Sequence, residues 1–195
     1  MEIAVIDYKG GNVQSVLFAL ERLGVQATLT ADPETIRRAD KILFPGEGEA
    51  SSAMQELRIQ GLDQLLPTLT QPFLGICLGM QLLGQHSDEN NTNLLGILPF
   101  NVVRFLATAD YKVPHMGWNT LQDLRSPLFA GLREEDYVYF VHSYYAPVGD
   151  YTIAAATYPM PFSAAVQHQN FYAVQFHTEK SGPVGTRILE NFLKL

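Results

Sequence analysis

The chain has 195 residues and a mass of 21.7 kDa, the size of one ordinary domain able to bury a core. Its 47% hydrophobic and 17% charged content belongs to a folded chain, and its net charge of −7 argues against non-specific binding to nucleic acid or an anionic membrane. Apolar runs stay below the roughly 18 residues of a membrane span, the N-terminus lacks a basic signal-peptide region, and a lone cysteine excludes an internal disulfide framework or a Cys-rich zinc site, so a reducing cytoplasm is expected.

Met1 to Asp7 reads as a buried parallel strand, ended by the loop Tyr8-Lys9-Gly10-Gly11-Asn12. Val13, Val16, Leu17, Leu20 and Leu23 fall on one helical face, with Gly24 as the residue that ends the helix. Gln26 to Thr30 and Lys41 to Phe44 are β-prone, the latter stopped by Pro45-Gly46. Helix is expected over Ser51 to Arg58 and near Leu62 to Leu69. A strand, Pro72 to Ile76, then runs into Cys77 and a helix over Leu78 to Gln85. Short strands are expected at Tyr137–Val141, Thr152–Thr157, Phe162–Gln167 and Phe171–Phe176, with Gln169-Asn170 as a hairpin turn. A helix over roughly Val184 to Leu193 closes the chain. The alternation predicts an α/β fold: an open, mostly parallel sheet flanked by helices, with additional short antiparallel strands in the C-terminal half. Neither repeat nor linker interrupts it, so residues 1–195 read as one domain.

An isolated intracellular cysteine is most often a small buried hydrophobe. Gly75-Ile76-Cys77-Leu78-Gly79 changes that reading, because Gly-x-nucleophile-x-Gly between strand and helix is a tight turn that exposes its central side chain. Glycine is needed on both sides, where a Cβ would crowd strand against helix. The positive end of the following helix would also lower the thiol pKa. A cysteine nucleophile needs a base, and the base an orienter. Of five histidines, His177 stands out because Glu179 follows two residues later on the same side of an extended segment. His86 and His168 read as surface residues; His115 and His142 stay open as bases on spacing alone.

Gly75 to Gln81, together with Phe176-His177-Thr178-Glu179-Lys180-Ser181, resembles the class I, triad-type glutamine amidotransferases. Pro45-Gly46-Glu47-Gly48 is similar to that family's oxyanion strand. Lys112-Val113-Pro114-His115-Met116-Gly117-Trp118-Asn119 is similar to a segment typical of the glutaminase subunits of imidazole glycerol phosphate synthases, and Asp7-Tyr8, Gly11-Asn12 and Tyr139 to Tyr145 fit as well. The bland alternative for the Trp118 segment is a loop with a packed tryptophan. Three departures stand out. Glu47 replaces a small apolar residue and is expected to face solvent, Thr178 replaces a proline, and Lys9-Gly10 replaces a Gly-Met pair.

The resemblance implies glutamine hydrolysis through a Cys77 thioester, with His177 as base and Glu179 as its orienter. Oxyanion donors are implied at Gly46, Glu47 and Leu78. Gln81, Glu89, Ser143 and Tyr144 are implied at the amino-acid end of the substrate, with a solvated loop acid as the rival reading of Glu89. No metal or organic cofactor is called for. The implied partner is a (β/α)8-barrel cyclase subunit, in a heterodimer, that uses the ammonia to make imidazole glycerol phosphate and an aminoimidazole carboxamide ribotide. Asn12 and Trp118 are candidates for the docking face, and Lys180 is either surface charge or a gate. Rival readings are the glutaminase of another synthase (pyridoxal phosphate, anthranilate, carbamoyl phosphate), a related cysteine hydrolase, or a non-catalytic homologue.

Overall fold

The computed structural model describes residues 1–10 and 13–195; Asn12, a docking candidate, lies outside the described residues. The first half alternates strand and helix: β1 Ile3–Ile6, α1 Val13–Arg22, β2 Ala27–Thr30, α2 Pro33–Arg38, β3 Lys41–Gly46, α3 Ala50–Ile59, α4 Leu62–Leu65, β4 Phe73–Cys77 and α5 Leu78–Gln81. Local signals account for several boundaries. Gly24 adopts φ +72 just after α1. Asp32 caps α2, which has Pro33 at its start, by accepting from the Thr35 N–H at 2.8 Å.

The second half is strand-rich: β5 His86–Ser87, β6 Thr92–Asn93, β7 Asn101–Arg104, β8 His115–Thr120, β9 Tyr137–His142, β10 Tyr144–Tyr145, β11 Thr152–Thr157, β12 Pro161–His168 and β13 Phe171–Val174, closed by α6 Gly182–Lys194. Seven strands form the main sheet in the order β11-β12-β13-β4-β3-β1-β2. From β13 to β2 neighbours run parallel, and β12 is antiparallel to both β11 and β13. Side chains alternate between the two faces. Ile3, Val5, Leu43, Leu74 and Ile76 join one core with α1 and α6, whereas Ala4, Ile6, Ile42, Phe44 and Phe73 join the other with α3 and α4. Both faces are covered, which is why these strands read as continuous apolar runs.

Two expectations and one rival reading need correction. The helix foreseen from Leu78 to Gln85 stops at Gln81, because Leu82 to Gln85 turn toward the small sheet β10-β7-β5-β6 and the Gln85 N–H donates to Phe100 O at 2.8 Å. The segment from Leu62 to Leu69 is one α turn followed by a 3-10 turn at Leu66–Thr68, where Pro67 cannot donate a helical bond. Finally, the Trp118 segment is no loop. His115–Thr120 pairs with β9 as a two-stranded ribbon, Trp118 opposite Tyr139.

Parallel strands present their carboxyl ends to one crevice, the usual ligand site of an open α/β sheet. Here the ends of β3 and β4 meet there, with Gly46 in register with Cys77. The packing beneath is tight: a Cβ on Gly79 would lie 1.8 Å from Phe44 O. Gly79→Ala is therefore expected to destabilise the chain by at least about 3 kcal/mol, read as a loss of about 6–12 °C in Tm by calorimetry.

Candidate active site

Cys77 ends β4 with φ 55 and ψ −112, a conformation that β-carbon sterics disfavour. The flanking glycines make the turn possible: a Cβ on Gly75 would lie 2.8 Å from Gly79 O, and one on Gly46 within 2.9 Å of both the Gly79 amide nitrogen and Leu78 Cβ. The expected tight turn is thus present, and it brings Gly46 of the oxyanion segment against Leu78. Helix α5 has only four residues, so its dipole contributes less to the thiol than the sequence suggested.

β13 ends at Val174, and His177 precedes a 3-10 turn, Thr178–Lys180. The His177–Glu179 contact, expected along an extended strand, is made through that turn: Nδ1 lies 2.7 Å from Glu179 Oε1, and both side chains are 2% exposed. Nδ1 thus carries the proton shared with Glu179, which leaves Nε2, buried and without a hydrogen-bond partner among the described residues. Burial opposes the charged ring, but the neighbouring Cys77 and the hydrogen-bonded Glu179 outweigh it, raising the His177 pKa to about 10. Glu47 does not simply face solvent: its carboxylate accepts from Lys180 Nζ at 3.1 Å.

Cys77 and His177 line a cavity of about 710 Å³ together with Glu47, Leu78, Gln81, Glu89, Ser143, Tyr144, Trp118 and Lys180. The structure therefore gathers every described site residue named from sequence except Gly46 and Glu179, which lie just behind that wall beside Glu47 and His177. Glu89 is not a freely solvated acid. It is half-buried, accepts from the Ala50 N–H at 2.7 Å, and burial raises its pKa. Trp118 is 56% exposed at the cavity mouth, with its ring edge-on to Tyr139 at 5.8 Å.

Several residues at the site were missed in the sequence. Gln175, fully buried, accepts from Gln81 Nε2 at 3.0 Å and points its own Nε2 at Cys77 Sγ, 3.9 Å away. Gln81 Nε2 also donates to Tyr144 O at 3.0 Å, so both its protons are used and its Oε1 is left as an acceptor. The Ser181 hydroxyl donates to His177 O at 2.6 Å and accepts from the Tyr139 N–H at 2.9 Å. The Tyr8 ring fills the space under Gly46, and burial, with the charges of Cys77 and Glu47, pushes its phenol pKa up. The one available signal was a polar residue, Gln175, inside an otherwise apolar strand run.

His115 and His142 are not bases for the thiol. His142 Nδ1 lies 2.8 Å from Tyr144 O and must donate to it, so its Nε2 accepts from His115 Nδ1 at 3.0 Å. Burial depresses both, His115 to about 4 and His142 to about 3. His86 is half-exposed beside Asn93, 3.4 Å away, and His168 is exposed.

With this geometry in view, comparison with known proteins gives a consistent answer. The model for the family Glutamine amidotransferase class-I matches residues 4–195, and the chain belongs to that family. It is 53% identical, over 100% of both chains, to the imidazole glycerol phosphate synthase subunit HisH of Bacteroides thetaiotaomicron. It is also 48% identical, over 99% of this chain and 98% of the other, to the HisH subunit of Vibrio cholerae. In fold it is similar to a putative GMP synthase protein of Thermoplasma acidophilum, with TM-score 0.75 and 22% identity over 100% of this chain and 92% of that one. PurLQS of Thermotoga maritima gives 0.72 and 15% over 99% and 97%. No helix among the described residues is long and apolar enough to cross a membrane.

Two outcomes follow from the site. The His115 and His142 pKa values are lowered on folding, so their contribution to stability is present above their ordinary 6.5 and lost as pH falls below it, when the unfolded chain takes up protons. That of His177 has the opposite sign: its pKa is raised, so its contribution is present below 6.5 and lost as pH rises toward about 10. Urea midpoints measured across pH should therefore fall on both sides, the acid fall beginning near pH 6.5, above the carboxylate range. Gln175→Met leaves Gln81 a buried unpaired donor, so stability should drop by about 1–3 kcal/mol and the KM for glutamine should rise.

Proposed function

We infer that this chain is the glutaminase subunit of an imidazole glycerol phosphate synthase, hydrolysing glutamine and passing the ammonia to a separate cyclase subunit. The observation that carries the chemistry is a buried His177–Glu179 pair beside a strained, cavity-lining Cys77. Full-length likeness to HisH subunits supports the destination of the ammonia, and favours it over the glutaminases of other synthases and other cysteine hydrolases.

In this reading the Cys77 thiolate attacks the side-chain amide carbon of glutamine. His177, having taken the thiol proton through Nε2, returns it to the leaving nitrogen, which departs as ammonia and leaves a thioester. Water, deprotonated by His177, then adds to the thioester; the C–S bond breaks, glutamate leaves and Cys77 regains its proton. Glu179 holds the ring through Nδ1. Backbone N–H groups near Gly46, Glu47 and Leu78 meet the oxyanion, a term of about 3 kcal/mol per donor. Gln81 offers its Oε1 to a donor group at the amino-acid end of the substrate, beside Glu89, Ser143 and Tyr144. The partner is taken to be a (β/α)8-barrel cyclase that docks over the Trp118 face, in the cytoplasm, with residues 1–195 acting as one domain.

In the test, Cys77→Ala should lose glutamine hydrolysis by a factor of about 10⁴ or more, while the wild-type chain mixed with a cyclase subunit should make imidazole glycerol phosphate from glutamine. Surviving hydrolysis in the variant would refute the nucleophile, and product formation only from added ammonia would refute the coupling.

A further inference from the structure

Glu47 is the residue that fits worst beside a thiolate and a developing oxyanion. It follows the last residue of β3, and Lys180 closes the turn that follows His177, so the 3.1 Å ion pair spans 133 residues of sequence. It lies at the cavity rim, with the two side chains 39% and 35% exposed. A ligand atom of Glu47 and those of His177 and Glu179 all lie within 4.8 Å of one another. The two carboxylates at that spacing attract a cation, and the ammonium of Lys180 is paired with one of them.

The alternative to that pairing is harmful. His177 Nε2 is buried and has no hydrogen-bond partner among the described residues, and a carboxylate turned inward from Glu47 would accept from the protonated ring in place of the Cys77 thiolate. We propose that Glu47 and Lys180 are a positioning pair for glutamine hydrolysis: the ion pair ties the oxyanion segment to the loop bearing the base, and Lys180 keeps the Glu47 carboxylate from competing with the thiolate for His177. This rests on the glutaminase reading. It also accounts for a carboxylate at this position, which is tolerated because its neutralising partner sits across the mouth. The titratable groups around Cys77 are His177, Lys180, Glu47 and Tyr8, with Glu179 behind His177 and Glu89, His142, Tyr139 and Tyr144 on the cavity wall. Of these, Lys180 is the cation whose charge does not depend on the proton exchanged between Cys77 and His177.

The test compares Lys180→Met, Glu47→Gln and the double variant, reading the pH dependence of Cys77 alkylation by iodoacetamide and the steady-state hydrolysis of glutamine by the chain assembled with a cyclase subunit. Lys180→Met is expected to raise the alkylation midpoint by about one pH unit and to lower kcat about tenfold, with a smaller change in KM. The double variant should recover most of both losses, and Lys180→Arg should recover the alkylation midpoint. A double variant as impaired as Lys180→Met, or a Lys180→Met alkylation profile that matches the wild type, overturns the proposal. Alkylation shifts as expected in a chain that hydrolyses no glutamine would uphold the pair and refute the glutaminase reading.

Discussion

The site is built around the close approach of α5 to β3. Gly79 lies so near Phe44 O that no side chain fits between them, and Gly75 packs on the far side of the same turn against Ala173. Between these glycines Cys77 is held at positive φ, a strain of about 1–3 kcal/mol that persists only where flanking structure over-determines it. The flanking structure is the centre of the sheet, with β3 on one side of β4 and β13 on the other. Those neighbours also deliver Gly46 and Glu47 at the end of β3 and His177 from beyond β13, so the constraint that strains Cys77 also gathers the residues around it.

Burial acts on the three inner histidines with one sign and yields two outcomes. For His115 and His142 it meets no opposing charge, and both rings stay neutral as links between β8 and Tyr144 O. For His177 the charges of Cys77 and Glu179 outweigh it. The neutral pair serves geometry: with His142 and Gln81 both donating to Tyr144 O, that carbonyl fixes which face of Gln81 is offered to a ligand.

The ribbon at the cavity mouth is wired to the base. Trp118 is paired with Tyr139, whose carbonyl accepts from the His177 N–H at 2.9 Å and whose own N–H donates to the Ser181 hydroxyl bound to His177 O. The exposed Trp118 thus sits on a strand linked to His177 directly and through Ser181. That is a contiguous physical path from the surface to His177.

Much of this was legible in the sequence, because local patterns carried it. The βα alternation, the glycines around Cys77 and the His177-x-Glu179 spacing each state a backbone or steric requirement within a few residues. Gln175, Ser181 and Tyr8 were not legible as site residues, since each acts through a partner from 42 to 98 positions away or through space under a distant glycine. Glu47 shows the division most plainly. Its sequence marks it as misplaced, and solvent exposure was the natural expectation. Only the fold, by bringing residue 180 across the cavity mouth, decides that the carboxylate is paired. By itself the sequence determined the sheet and singled out Cys77, His177 and Glu179, which the fold brings to one site. Tertiary structure decided the protonation of His115, His142 and His177, the amide orientation of Gln81 and the partner of Glu47, because charge and hydrogen bonding depend on distances that sequence separation does not encode.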